Sequence, residues 1–235
     1  PHEDRAGAAV INLGDLSVLP GYIDSNTAIE PAPPAGYGAL LLTTGVTTMV
    51  AQTDEADSLN ERWSTKESPG PRLLGAVTWG NSTVAPAVAD AATPGLARLL
   101  ASRQASLFPD VEPVVRRFAE RSKRRVATTS LQLGSRDNGL PAGLGLHAEF
   151  RARAASGLKP EQILRAAGVN AAAALGADPY IGRIAVGAVA DLVFIDGDPL
   201  ADFADALNVV AVIRNGRFYS VVGLLERAAP GAGVE

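Results

Sequence analysis

The chain has 235 residues, with 21 Lys+Arg against 25 Asp+Glu for a formal net charge of −4 and no cysteine. Its length is enough to bury a real core, and 47% hydrophobic against 20% charged residues excludes a disordered chain. The missing cysteines exclude disulfide scaffolds, Cys-ligated zinc and thiol nucleophiles, and the slight acidity argues against a nucleic-acid surface.

Histidine is scarce, His2 and His147 only, and the lysines are Lys66, Lys123 and Lys159. No apolar run approaches the roughly 20 residues of a membrane helix, and no segment has a charged start followed by an apolar core, so the cytoplasm is the expected location. The chain opens at Pro1 rather than Met, which reads as a processed, trimmed or partial chain.

In chain order, residues 8–13 and 16–19 read as two short strands separated by Gly14-Asp15 turn chemistry. Pro20-Gly21 breaks the second, and an apolar run resumes at Tyr22-Ile23-Asp24. Residues 29–38 hold Pro31, Pro33 and Pro34 and read as a loop, because proline fixes φ and lacks a donor. Residues 45–50 (GVTTMV) are β-branched and short, as a buried strand requires, and residues 72–78 read as another. Residues 80–108 have no regular pattern. A helix with a basic outer face is predicted over 111–124 and a strand over 126–133. Residues 160–175 read as one helix with Pro160 in its first turn, Glu161 next to it and Gly176 at its end. The C-terminal part reads as β, with strands at 191–195, 209–214 and 217–222. Asn215-Gly216 supplies the hairpin turn, and residues 226–235 read as a frayed tail.

Three stretches together resemble the amidohydrolase superfamily, in its imidazolonepropionase- and prolidase-like branch. They are Leu19-Pro20-Gly21-Tyr22-Ile23-Asp24; residues 42–49 (LTTGVTTM) with Gly70-Pro71-Arg72; and the long run from Gly134 to about Tyr219, with its IGRIAVGAVADLVFIDGDPL core. The resemblance implies an α/β fold, a (β/α)8 barrel over 19–180 with a small β-sandwich from residues 1–18 and 181–225. It also implies metal-assisted hydrolysis of C–N bonds in small amides, cyclic amides or dipeptides. About 160 residues lie between Leu16 and Gly176, fewer than the roughly 200–250 of a full barrel, so an abridged or incomplete barrel is expected.

The family places His-x-His after the Ile-Asp of its first strand, whereas this chain reads Asn26-Thr27-Ala28. An amide oxygen ligates weakly and a methyl group not at all, so the usual zinc is not expected and no other cofactor is called for. The family's strand-8 aspartate falls two residues after a glycine; here Arg136 takes that place and Asp137 follows it. A one-residue shift reverses the facing side, so either residue can occupy the pocket. Asp24, Asp137 and His147 are the candidate acid–base groups, although Asp24 also reads as a structural carboxylate and His147 as a capping or packing residue. Asn26, Arg136, Trp79 and Tyr22 are the candidate substrate contacts. The expected partner is a small molecule, with no nucleic acid or membrane, and a homo-oligomer is left open. A non-catalytic descendant that binds a small molecule or a partner subunit is the alternative.

Overall fold

The structure is a computed structural model and describes residues 12–29, 32–74, 133–135 and 143–228. Two sheets organise these residues. Strand β1 (Ser17–Pro20) pairs antiparallel with β5 (Leu192–Ile195), with Ser17 opposite Ile195 and Pro20 opposite Leu192. Strand β6 (Val209–Arg214) and β7 (Arg217–Ser220) complete the sheet in the order β1-β5-β6-β7. The β6–β7 turn places Asn215 at φ 52° and Gly216 at φ 76°, the left-handed pair that Asn-Gly adopts at low cost.

The second sheet is parallel, in the order β2-β3-β4: β2 (Tyr22–Ala28), β3 (Val46–Gln52) and β4 (Arg72–Leu74). Helix α1 (Tyr37–Thr43) joins β2 to β3 and α2 (Ala56–Trp63) joins β3 to β4. Gly21 carries the chain from one sheet into the other. Its N–H donates to the Asp191 carbonyl at 2.8 Å, and a Cβ there would run into the Thr47 side chain. The Leu133 carbonyl accepts from the Ser25 N–H at 2.9 Å, so residues 133–135 lie along the edge of β2 that β3 leaves open.

Helix α3 (Leu144–Ala155), α4 (Pro160–Ala166) and α5 (Val169–Ala174) follow, then a 3-10 turn at Phe203–Leu207 and a last helix, α6 (Val221–Ala228). Leu40, Leu41 and Leu42 of α1, Met49 of β3, Phe150 of α3, Ile163 of α4, Val193 of β5 and Leu224 of α6 belong to one buried cluster that spans both sheets. Among the described residues, no helix is long and apolar enough to cross a membrane.

Four expectations change. The loop read over 29–38 stops at Gly36, because Tyr37 and Gly38 already belong to α1. The helix read over 160–175 is two helices, because Gly168 (φ −127°, ψ −103°) comes so close to the Gly182 carbonyl that a Cβ would lie 2.9 Å from it. The strand read over 217–222 stops at Ser220. Residues 226–228, read as the start of a frayed tail, close α6, whose Leu224, Leu225 and Ala228 are buried and which packs on α1. The readings for residues 8–11, 80–108 and 111–124 lie outside the described residues, as do 75–78 and 126–132.

Candidate functional site

Asp24 sits where β2 departs from regular pairing. Asp24 is opposite Met49 but Thr27 is opposite Ala51, so Ser25 and Asn26 face a single residue of β3 and form a bulge. The extra residue lets the Asp24 carboxyl turn back on the chain. Its Oδ1 accepts from the Asn26 N–H at 3.3 Å and from the Ser135 N–H at 3.0 Å. The Ser135 hydroxyl donates to Thr27 Oγ1 at 2.7 Å. Gly134 makes this approach feasible, since a Cβ there would lie 2.6 Å from the Asn26 carbonyl oxygen.

Asp24 is 0% exposed, and its Oδ2 has no hydrogen-bond partner among the described residues. Burial pushes the carboxyl up to about 7. The bonds from Ser135 and Asn26 pull it back toward the charged form, and the nearby Glu149 carboxylate adds to the rise. The carboxyl is thus held by one oxygen, and burial shifts its balance toward the protonated form.

Tyr22 and His147 go elsewhere. The Tyr22 hydroxyl donates to the Ala206 carbonyl at 3.1 Å, and burial raises its proton affinity well above the ordinary phenol value. His147 lies inside α3, with Nε2 2.8 Å from the Thr44 carbonyl. A carbonyl only accepts, so Nε2 carries the proton. The imidazole meets the rings of Tyr22 and Phe150 edge-on, at centroid distances of 5.6 and 5.2 Å. Burial lowers its pKa to about 4, so the ring is neutral at physiological pH. The structure therefore brings Asp24 and Asn26 together and puts Tyr22 and His147 into the packed interior. Arg136, Asp137 and Trp79 lie outside the described residues.

Glu149 lies in the buried face of α3. Its Oε1 accepts from Arg153 Nε at 2.8 Å and Nη2 at 2.6 Å, while Oε2 has no partner among the described residues. Burial raises its proton affinity and the guanidinium opposes that rise. The Glu149–Arg153 spacing of four is visible in the sequence, but the burial that distinguishes it from a solvated pair is not.

A second polar centre joins the two sheets. Buried Asp191 accepts from Arg72 Nη1 at 2.8 Å and from the Asn215 N–H at 2.6 Å, with Arg214 Nη1 at 3.9 Å. Burial, with Arg72 adding to it, lowers the Arg214 pKa to about 10.

Among the described residues, the donor set around Asp24 contains no imidazole. It offers one carboxylate together with hydroxyl and amide oxygens. Among the described residues, no three His, Cys, Asp or Glu side chains come close enough together to hold a metal. The one described imidazole, His147, is committed to Thr44.

Residues 99–219 match the family model described as "Amidohydrolase family". No curated protein sequence matches the chain. Among solved structures, the chain is similar to molinate hydrolase (14% identity, TM-score 0.63), covering 94% of this chain and 87% of that one. It is also similar to a Xaa-Pro dipeptidase with bound methionine in the active site (15% identity, TM-score 0.59), covering 88% and 87%. At these identities the likeness concerns the fold.

Proposed function

Because the chain belongs to the amidohydrolase family, we propose that it acts on the C–N bond of a small amide-like or cyclic substrate, by acid–base chemistry centred on Asp24 and without the family's imidazole-held ions. The parallel strands β2, β3 and β4, with residues 133–135 beside β2, are read as part of an abridged (β/α)8 barrel. In such barrels the site lies at the C-terminal ends of the strands. One observation carries the chemistry. The Asp24 carboxyl is wholly buried and anchored through Oδ1, while Oδ2 has no hydrogen-bond partner among the described residues. Proton transfer by a group whose pKa lies near the working pH contributes about 10²- to 10⁴-fold to a rate. The N–H groups of Asn26 and Ser135 fix the carboxyl through Oδ1, and the Ser135 hydroxyl is held in turn by Thr27 Oγ1. His147 has a packing role, holding α3 to the Thr44 carbonyl at the end of α1.

The test is hydrolysis of a panel of N-acyl amino acids, cyclic amides and dipeptides in the presence of a strong chelator. The expected result is turnover that survives chelation and falls about 10²-fold or more in Asp24→Asn. Turnover that appears only on adding zinc overturns the metal-independent reading. A second reading, a non-catalytic protein that binds a small amide, is favoured by Asn26 and Ala28 at the positions where the family carries imidazoles. It is supported if panel members bind and none is hydrolysed under any condition.

A further inference from the structure

The polar centre where the two sheets meet holds more positive charge than it neutralises. Among the described residues, Asp191 is the one carboxylate that pairs with Arg72 or Arg214, and a third arginine stands beside them. Arg214 ends β6 and Arg217 begins β7, and the hairpin register sets them directly opposite each other. Opposed residues of an antiparallel pair project from the same face, and like charges in that position destabilise the pairing. A neutral or acidic residue at position 217 would avoid that cost.

The donors of this cluster are largely uncommitted. Arg72 Nη1 donates to Asp191 Oδ2 at 2.8 Å and to Thr48 Oγ1 at 3.1 Å. Asp191 Oδ1 is taken by the Asn215 N–H at 2.6 Å, which leaves Arg214 Nη1 at 3.9 Å, too far for a hydrogen bond. Arg214 Nε is buried and has no partner among the described residues. Arg217 Nη1 donates to the Ser64 carbonyl at 2.9 Å, which holds the hairpin against the C-terminal end of α2. A guanidinium withdrawn from water without acceptors for its N–H groups is costly, and Arg214 is in that position. The cluster nevertheless borders solvent. The side chains of Arg72 and Arg214 are 21% and 15% exposed, and Arg217 is exposed.

We propose that Arg72, Arg214 and Arg217 form a binding site for a phosphate-type dianion, either free phosphate or the phosphoryl group of a small molecule. Three guanidiniums facing one carboxylate leave an excess of two positive charges, which a dianion balances and a monocarboxylate does not. The planar fork of arginine also matches phosphate oxygens through paired N–H···O bonds. Arg72 comes from the parallel sheet, and Arg214 and Arg217 come from the antiparallel one, so a bound anion ties the two sheets together. None of the residues that surround Asp24 takes part, and the inference is independent of the C–N hydrolase reading.

Thermal unfolding of the whole chain tests it, near pH 8, where a phosphate carries close to two charges. The solutes are inorganic phosphate, glycerol phosphate, acetate and sodium chloride at matched ionic strength. A ligand that binds the folded chain alone raises its midpoint. The expected result is a saturable rise of about 3 °C or more with phosphate over chloride, and none with acetate. Isothermal titration calorimetry should then show affinity falling at least about fivefold in Arg214→Gln and in Arg217→Gln. Arg217→Gln changes an exposed side chain, so it keeps the test decisive where Arg214→Gln folds poorly. Tighter binding of glycerol phosphate than of inorganic phosphate supports a phosphorylated small molecule as the ligand, and equal or weaker binding supports the free ion. A midpoint that rises no further in phosphate than in chloride overturns the proposal. So does a rise that acetate matches, or a smaller loss of affinity in either folded variant.

Discussion

Replacing Asp24 with Asn should change how stability depends on pH, and the size of that change follows from two buried groups of opposite sign. A carboxyl that holds its proton more tightly when folded contributes stability that is fully present below its unfolded pKa of 3.8 and lost as pH rises through about 7. Between pH 5 and pH 7.5 that loss is about 2.5 kcal/mol. His147 works the other way. Its folded pKa is lowered from 6.5 to about 4, so the stability it contributes is present above 6.5 and lost as pH falls, about 2 kcal/mol over the same interval. In wild type the Asp24 and His147 contributions nearly cancel between pH 5 and pH 7.5, leaving the slope set by other groups such as buried Glu149. Asp24→Asn leaves those and the His147 contribution alone, so relative to wild type its stability should rise by about 2.5 kcal/mol from pH 5 to pH 7.5. With an m-value of about 2–3 kcal/mol/M, that is a shift of roughly 1 M in the urea midpoint. Urea unfolding followed by circular dichroism at the two pH values measures it. The reasoning is refuted if Asp24→Asn and wild type have parallel pH dependences, since Asp24 would then titrate in the folded chain as it does in the unfolded one.

The complementary variant, His147→Gln, keeps a donor for the Thr44 carbonyl but removes the titration, so relative to wild type its stability should fall by about 2 kcal/mol from pH 5 to pH 7.5; the same urea series reads it, and hydrolysis of the panel should be unchanged. Gly134→Ala puts a methyl group 2.6 Å from the Asn26 carbonyl oxygen, and forcing residues 133–135 away from β2 should cost about 1–3 kcal/mol, measured as a lowered urea midpoint, together with loss of turnover. Asp191→Ala leaves Arg72 and Arg214 without their carboxylate and the Asn215 N–H without an acceptor; because both guanidiniums are partly solvated, a loss of about 2–3 kcal/mol is expected in thermal or urea unfolding, below the range for a fully buried pair.

Local chemistry made parts of this fold legible. Asn215-Gly216 announces its own turn because few residue pairs adopt two successive left-handed conformations, and the β-branched runs 46–50 and 192–195 suit strands covered on both faces. The split at Gly168 was not legible, since it depends on the Gly182 carbonyl arriving from a distant part of the chain. Helix α6 was read in part as a strand because Val221 and Val222 favour extended backbone, and only its burial against α1 decides for the helix. At the site, Asp24 stood out as a carboxylate in an apolar run, and the absence of imidazole at positions 26 and 28 was a matter of counting. The role of Ser135 was hidden, because its N–H meets the Asp24 carboxyl across more than 100 positions, and the burial of Glu149 depends on packing that its spacing from Arg153 does not reveal. Tyr22 and His147 were offered as functional from residue type alone, and their partners, the Ala206 and Thr44 carbonyls, are long-range.

Metal stoichiometry set beside turnover tests the central claim most directly. Protein freed of metal by exhaustive dialysis against a chelator, then checked by elemental analysis, should hydrolyse a small amide at the same rate as the protein before dialysis. A chain that carries one or two zinc ions, loses activity with them and regains it in proportion to zinc restored contradicts the account.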